Sequence, residues 1–338
     1  METLNNKQSE PTDLRQQDLD RWVAQQVGQS VQGVSVSSDA SFRRYFRYSL
    51  KAQSVVAMDA PIDTEDCLPF VNIAKSLADC GICVPQILAQ DLEQGFLLLS
   101  DLGHQTYLDV INGDNADSLF NDAINSLVCF QQFAKTSALP SYDEDLLRRE
   151  LALFPEWYLQ VHLGLEVDPS FRSLLDQLFD VLVKQVLLQA KVFVHRDYMP
   201  RNLMISSPNP GVLDFQDAVS GPISYDPICL FKDAFVSWPE EQVQQWLQTY
   251  WCRANAVGLP VPSDFSQFQT DCDFMGVQRH LKVIGIFARI CHRDGKPRYV
   301  EDVPRFFAYL RTVAQRCPEL HSLAQLLDRL NQLDDGVQ

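Results

Sequence analysis

The run VFVHRDYMPRNLMI at 192–205, followed by PGVLDFQD at 210–217, gathers side chains able to do chemistry in a short span. An aspartate at 197 can orient and deprotonate a hydroxyl. The amide oxygen of Asn202 and the carboxylate of Asp214, twelve positions further on, are hard oxygen donors of the kind magnesium accepts. A base, together with oxygen ligands for magnesium on the phosphates of ATP, makes up a phosphoryl-transfer site. Asp197 is therefore expected as catalytic base and Asn202 with Asp214 as metal ligands, with ATP and Mg2+ as the implied cofactors. His195, beside them, is expected to brace the loop rather than to touch substrate.

Stepping outward, the apolar stretches 192–194, 203–205 and 211–213 are too short for helices and are parted by turn-rich segments, so they read as short buried strands. The chemistry-bearing residues then sit on loops leaving a rigid scaffold, where catalytic groups concentrate. Around this island, apolar residues recur at three- and four-residue spacing over 118–133, 144–161, 173–190, 240–257, 277–290 and 303–316, which predicts helices. The amino-terminal part differs. After a leading helix over 14–27, β-branched and aromatic residues at 31–36, 45–50, 54–58, 86–90 and 95–99 predict strands, with one main helix at 67–80. The fold class is thus α+β, with a small antiparallel sheet over residues 1–102 and a larger, mostly helical part over 103–338.

Composition narrows the partners. With 338 residues and 46% hydrophobic content the chain can bury a full core. A net charge of −16 argues against nucleic acid or an anionic membrane as partner, because both require a basic surface. The start of the chain lacks a basic-then-apolar leader and no apolar run spans a bilayer, so a cytoplasmic, monomeric protein acting on a small molecule is expected. Nine cysteines, an odd count, point to reduced thiols; the Cys80–Cys83 pair has no second pair to complete a zinc site.

The H-R-D-x-x-x-x-N spacing with L-D-F after it resembles the catalytic and metal-binding segments of protein kinases, and more closely those of the aminoglycoside phosphotransferase and choline kinase superfamily. The resemblance implies a bilobal protein-kinase-like fold with the nucleotide held by the amino-terminal lobe. Two departures stand out. The turn SSDASFRRY at 37–45 has no glycine, so Ser38 and Ser41 with backbone N–H groups are expected to cradle phosphate. Met58 stands where many relatives carry an ATP-binding lysine, and the helix LPFVNIAKSLADCG offers no glutamate to pair with one. Arg43 or Arg44 can supply the missing cation, but adjacent strand residues face opposite ways and only one can reach; a solvated arginine pair is the alternative. Ser100 and Leu102 are expected at the adenine hinge, and Leu203 and Leu213 as the floor of its pocket.

A narrower resemblance rests on SDASFRRYFR at 38–47, MDAP at 58–61, LFPEWYL at 153–159, LDFQDAVSGPISYDP at 213–227 and QRHLKVIGIFARICHRDGKPRYV at 278–300. Together they resemble bacterial sugar kinases that phosphorylate the anomeric hydroxyl of N-acetylmuramate and N-acetylglucosamine, which implies an amino-sugar substrate and a place in cell-wall recycling. N-acetylmuramate carries a carboxylate, and Arg279, His280 and Lys282 are candidate cations for it; Arg279 and Lys282 share a helix face. A solvated helical face is the competing reading. Asp217 is a candidate for a sugar hydroxyl or a second metal, Asp226 for anchoring a loop or capping a helix. Glu156 and Trp157 are candidates for sugar contact, against a plain core tryptophan. A kinase for another hydroxylated metabolite, or a nucleotide-binding pseudokinase, remains the alternative.

Overall fold

A computed structural model describes residues 13–36, 42–51 and 53–335. The chain divides into two compact units: the residues up to Asn72 with Pro85–Leu102, and Ile73–Val84 with the residues from Gly103 on.

In the first unit, helix α1 (Leu14–Val27) is capped by the Asp13 carboxylate on the Gln16 N–H, and it ends at Gly28, whose φ of 70° suits a residue without Cβ. Strands β1 (Val34–Ser35), β2 (Arg44–Ser49) and β3 (Ser54–Asp59) precede helix α2 (Leu68–Asp79), whose residues from Ile73 on belong to the second unit, and β4 (Ile87–Asp91) and β5 (Phe96–Ser100) follow it. They form one antiparallel sheet in the order β1-β2-β3-β5-β4. Strand alternation sorts the side chains. Phe46, Tyr48, Val55, Ala57, Phe96 and Leu98 cluster with Leu19, Trp22 and Val23 of α1, so the leading helix closes one face of the sheet. Tyr45 lies directly across from Met58, which places both on the other face.

The second unit holds the short pairs that carry the loops. After α3 (Tyr107–Val110), α4 (Ala116–Phe133), α5 (Glu144–Leu153) and α6 (Pro169–Leu188), β6 (Lys191–Val194) pairs antiparallel with β9 (Val219–Pro222), and β7 (Leu203–Met204) with β8 (Gly211–Val212). Helices α7 (Tyr225–Phe231), α8 (Glu240–Ala256), α9 (Phe265–Asp294), α10 (Val303–Arg316) and α11 (His321–Asp335) complete it.

The structure departs from the helix expected over 144–161: the α-helix stops at Leu153, and Phe154–His162 is π-helical. Pro155 has no N–H to donate, and its ring crowds the carbonyl four residues back, so the ladder opens there. Likewise α9 begins a dozen residues before the expected 277, starting at an Asp264 cap and running past the polar stretch that hid its first turns. It passes the end of α5 so closely that a Cβ at Gly285 would lie 2.4 Å from the Leu153 carbonyl carbon. Among the described residues no helix is long and apolar enough to cross a membrane. All nine cysteines, Cys80 and Cys83 included, are free thiols.

Candidate active site

Strand β6 delivers His195, Arg196 and Asp197 into a loop that α7 holds from beneath. Asp226, in the first turn of α7, accepts the backbone N–H of His195 at 2.8 Å and of Arg196 at 3.0 Å. These bonds hold Arg196 at a φ of 75°, a left-handed conformation that costs a side-chain-bearing residue energy. Burial pushes the Asp226 carboxyl up to about 7, against the lowering effect of both amides. His195 braces the loop as expected. Its Nδ1 accepts the Asp197 N–H at 3.2 Å, so the proton resides on Nε2, which donates to the Leu213 carbonyl at 3.0 Å. Burial depresses the imidazole to about 4, which keeps it neutral.

Asn202 closes a short 3-10 turn and donates Nδ2 to the Asp197 carbonyl at 2.9 Å. Its Oδ1 is thereby turned the other way, and Asp214 Oδ2 sits 3.5 Å from the same Nδ2. The Leu213 N–H donates to the Asn202 carbonyl at 2.9 Å, so β8 is tied to the turn and carries Asp214 beside it. Asp214 is exposed, has a φ of 62°, and takes a hydrogen bond from Gln216 Nε2 at 2.8 Å. An amide oxygen and an adjacent carboxylate fit a hard divalent cation that draws its other ligands from phosphate and water, as magnesium does. Among the described residues there is no group of three or more His, Cys, Asp or Glu side chains placed to hold a metal ion. Asp217 is exposed on the same loop.

Beneath the loop lies a buried charge network that the sequence reading missed. Glu150 of α5 pairs with Arg196 and with Lys282, the latter at 2.8 Å, and accepts from Tyr142 and from Gln278. Burial opposes its charge, yet Lys282 and Arg196 prevail and hold its carboxyl at about 2. Lys282 also donates to the Tyr225 hydroxyl at 3.0 Å. A signal for Glu150 existed: it shares the buried face of α5 with Leu147 and Leu151, where a lone carboxylate needs a partner.

Arg279 and Lys282 do share a face, as expected, but that face is buried rather than solvated: the residues are 2% and 9% exposed. Arg279 Nη2 donates to Cys229 Sγ at 3.0 Å, and Cys229 in turn donates to the Arg196 carbonyl at 3.4 Å. His280 parts from them. Its ring packs against Phe306 and Tyr309 of α10, at centroid distances of 5.6 and 5.0 Å, because one residue along a helix turns the side chain through about 100°. Glu156 is exposed and Trp157 half-buried on the π-helical segment. Leu203 is buried in its β7–β8 pairing, and Leu213 is half-buried next to it.

In the first unit, Ser38 and Ser41 lie outside the described residues. Arg44 and Arg15 both pair with the buried Asp59, at 2.5 and 2.6 Å, on the face that α1 covers. Arg43 pairs with Glu65 at 2.7 Å. A carboxylate is therefore present after all, placed before α2 rather than within it. Neither arginine is a plainly solvated residue. Ser100 accepts the Gln86 N–H through its hydroxyl at 2.8 Å, Leu102 is half-buried, and between them Asp101 pairs with Arg47 through both oxygens, at 2.6 and 3.0 Å, and accepts from Ser54.

Comparison with known proteins adds four findings. Residues 33–259 match the model of the phosphotransferase enzyme family. Over 299 residues the chain is 60% identical to N-acetylmuramate/N-acetylglucosamine kinase of Pseudomonas aeruginosa, covering 88% of each chain. Over 329 residues it is 56% identical to N-acetylmuramate/N-acetylglucosamine kinase of Pseudomonas putida, covering 94% of this chain and 97% of that one. Among solved structures it resembles choline kinase from Streptococcus pneumoniae with a TM-score of 0.62, at 12% identity, covering 88% of this chain and 99% of that one. That likeness concerns the fold, which is the α+β, protein-kinase-like one.

Proposed function

The chain belongs to the phosphotransferase enzyme family, and from that premise we propose that it transfers the γ-phosphoryl group of ATP to the anomeric hydroxyl of N-acetylmuramate or N-acetylglucosamine. The observation that carries the chemistry is the joint placement of Asp197, Asn202 and Asp214 on two loops tied by backbone hydrogen bonds. The choice of acceptor is supported by the sugar kinases that the chain resembles at 60% and 56% identity.

Asp197 orients the sugar hydroxyl and takes its proton as the oxygen attacks phosphorus, which breaks the bond to the leaving ADP and gives a sugar 1-phosphate. Asn202 and Asp214 would hold magnesium, which supplies charge neutralisation on the phosphates when bound. His195, neutral and locked by two hydrogen bonds, fixes the Asp197 amide. Arg279 and Lys282, buried, and Arg196, half-buried, put positive charge beneath the Asp197 loop. Residues 1–102 bind nucleotide in this reading, with Arg43, Ser38, Ser41, Ser100 and Leu102 as contacts, and residues 103–338 carry Leu203, Leu213 and the acceptor site, with Asp217, Glu156 and Trp157 facing the sugar. The protein works as a cytoplasmic monomer, where ATP is available.

The test is acceptor-dependent ADP release by the purified full chain with MgATP. N-acetylmuramate and N-acetylglucosamine should each support turnover, while choline and an aminoglycoside should not. Turnover with choline or the aminoglycoside alone would overturn the acceptor; ADP release with none of the four would overturn the kinase reading.

A further inference from the structure

Arg196 stands directly before Asp197 at a φ of 75°, so a residue that carries a Cβ occupies the region that favours glycine. Such a residue prefers negative φ by about ten- to hundred-fold. Because φ and ψ are the chain's only soft rotations, a relaxation at 196 would first move the Asp197 carboxylate. The conformation is held from outside the loop. The Arg196 carbonyl accepts from Cys229 Sγ of α7 at 3.4 Å, and Cys229 is gripped in turn by Arg279 Nη2 of α9 at 3.0 Å. The Arg196 guanidinium donates through Nη2 to Glu150 Oε1 of α5, the same oxygen that Lys282 meets at 2.8 Å. Tyr142 and Gln278 donate to the other Glu150 oxygen, the latter at 3.1 Å. Both carboxylate oxygens are thus engaged inside the protein, which makes Glu150 a fixed anchor.

We infer that Glu150 and Arg196 are positioning residues for the phosphoryl transfer: their ion pair holds the left-handed backbone at 196 and so aims the Asp197 carboxylate, the guanidinium acting through the backbone and not on substrate. The inference rests on the reading of Asp197 as the base. The magnitudes match. A hydrogen bond between charged groups is worth about ten- to hundred-fold, the same range as the preference against a left-handed residue with a Cβ. A charge needed only beneath the loop could be carried by a residue in a relaxed conformation. Strain at 196 together with a side chain tied to a buried, fully engaged carboxylate is the arrangement of a clamp.

The experiment compares Arg196→Ala with Arg196→Gly in the full-length chain, through kcat and through KM for ATP and for N-acetylglucosamine. Both variants lose the guanidinium, but only alanine keeps the Cβ that disfavours the left-handed region. Arg196→Ala should lower kcat by about 10- to 100-fold with each KM within about three-fold of wild type, and Arg196→Gly should turn over at least about five-fold faster than Arg196→Ala. Glu150→Gln should lower kcat by about ten-fold in the wild-type background and by less than about two-fold in the Arg196→Gly background, where the tie no longer sets the backbone. Equal kcat in the alanine and glycine chains overturns the inference, since the guanidinium then acts by charge, on substrate, or not at all. Should Arg196→Ala not fold, the Glu150→Gln comparison decides, and an equal loss in the two backgrounds overturns it. A wild-type chain that releases no ADP with either sugar sinks the kinase reading and the inference with it, whereas an active wild type beside equal alanine and glycine variants sinks only the positioning role.

Discussion

The side-chain amide of Asn202 donates to the backbone carbonyl of Asp197 at 2.9 Å, so one bond ties the Asp197 loop and turns the Asn202 oxygen away from that carbonyl. A carboxylate at 202 would keep the oxygen and lose the donor. Asn202→Asp should therefore lower kcat by about 10- to 100-fold and raise the magnesium concentration needed for half-maximal rate, because the acceptor on Asp197 is left unsatisfied. Steady-state rates titrated with magnesium check this, and a magnesium dependence unchanged from wild type would contradict it.

Asp197→Asn removes the proposed base while leaving the backbone bonds of its loop in place. We expect kcat to fall by at least about 10², with the KM values for both substrates altered less than about three-fold. Near-normal turnover by the folded variant would mean that another group takes the proton.

The acid limb of stability should follow Glu150. Its carboxyl lies at about 2 in the folded chain against an ordinary 4.5, so the folded state binds fewer protons between those values than the unfolded one. The contribution is then fully present above pH 4.5 and is lost as pH falls toward 2. Glu150→Gln leaves Lys282 and Arg196 buried without their carboxylate, which should cost about 3 kcal/mol at neutral pH. The gap from wild type should narrow below pH 4.5, as wild-type Glu150 itself becomes protonated. Urea midpoints measured from pH 3 to pH 7 test the sign, and a gap that is constant or widens in acid would refute it.

Gly285→Ala tests the crossing of α9 with the end of α5. Alanine favours a helix over glycine by about 1 kcal/mol, but the added carbon would meet backbone atoms of Leu153 at 2.4 Å and 2.5 Å. Overpacking should prevail, giving a net loss of about 1 to 3 kcal/mol that lowers the thermal midpoint. A higher midpoint would show that the two helices can part.

The placement of Asp197, Asn202 and Asp214 was legible because it is local: they lie on loops bounded by short strands whose apolar runs are too brief to be anything else. The same holds for α10, found where periodicity put it at 303–316. Glu150 was not legible, since nothing near it in the chain names partners at 196 and 282. Nor was the π-helical stretch, although Pro155 announced a break without saying how the ladder would reclose.

The sequence by itself determined the reaction class, through residue types held at fixed spacing on one stretch of chain, and it determined the strand alternation that sets Arg44 and Tyr45 on opposite faces. Which face α1 covers, and therefore which arginine is committed to Asp59 and which to Glu65, only the tertiary structure decided. It also buried Arg279 and Lys282, against the competing reading of a solvated helical face, and paired Lys282 with Glu150. The reason is physical: spacing fixes what neighbours along the chain can do together, whereas burial and pairing depend on residues scores of positions apart that only packing brings within reach.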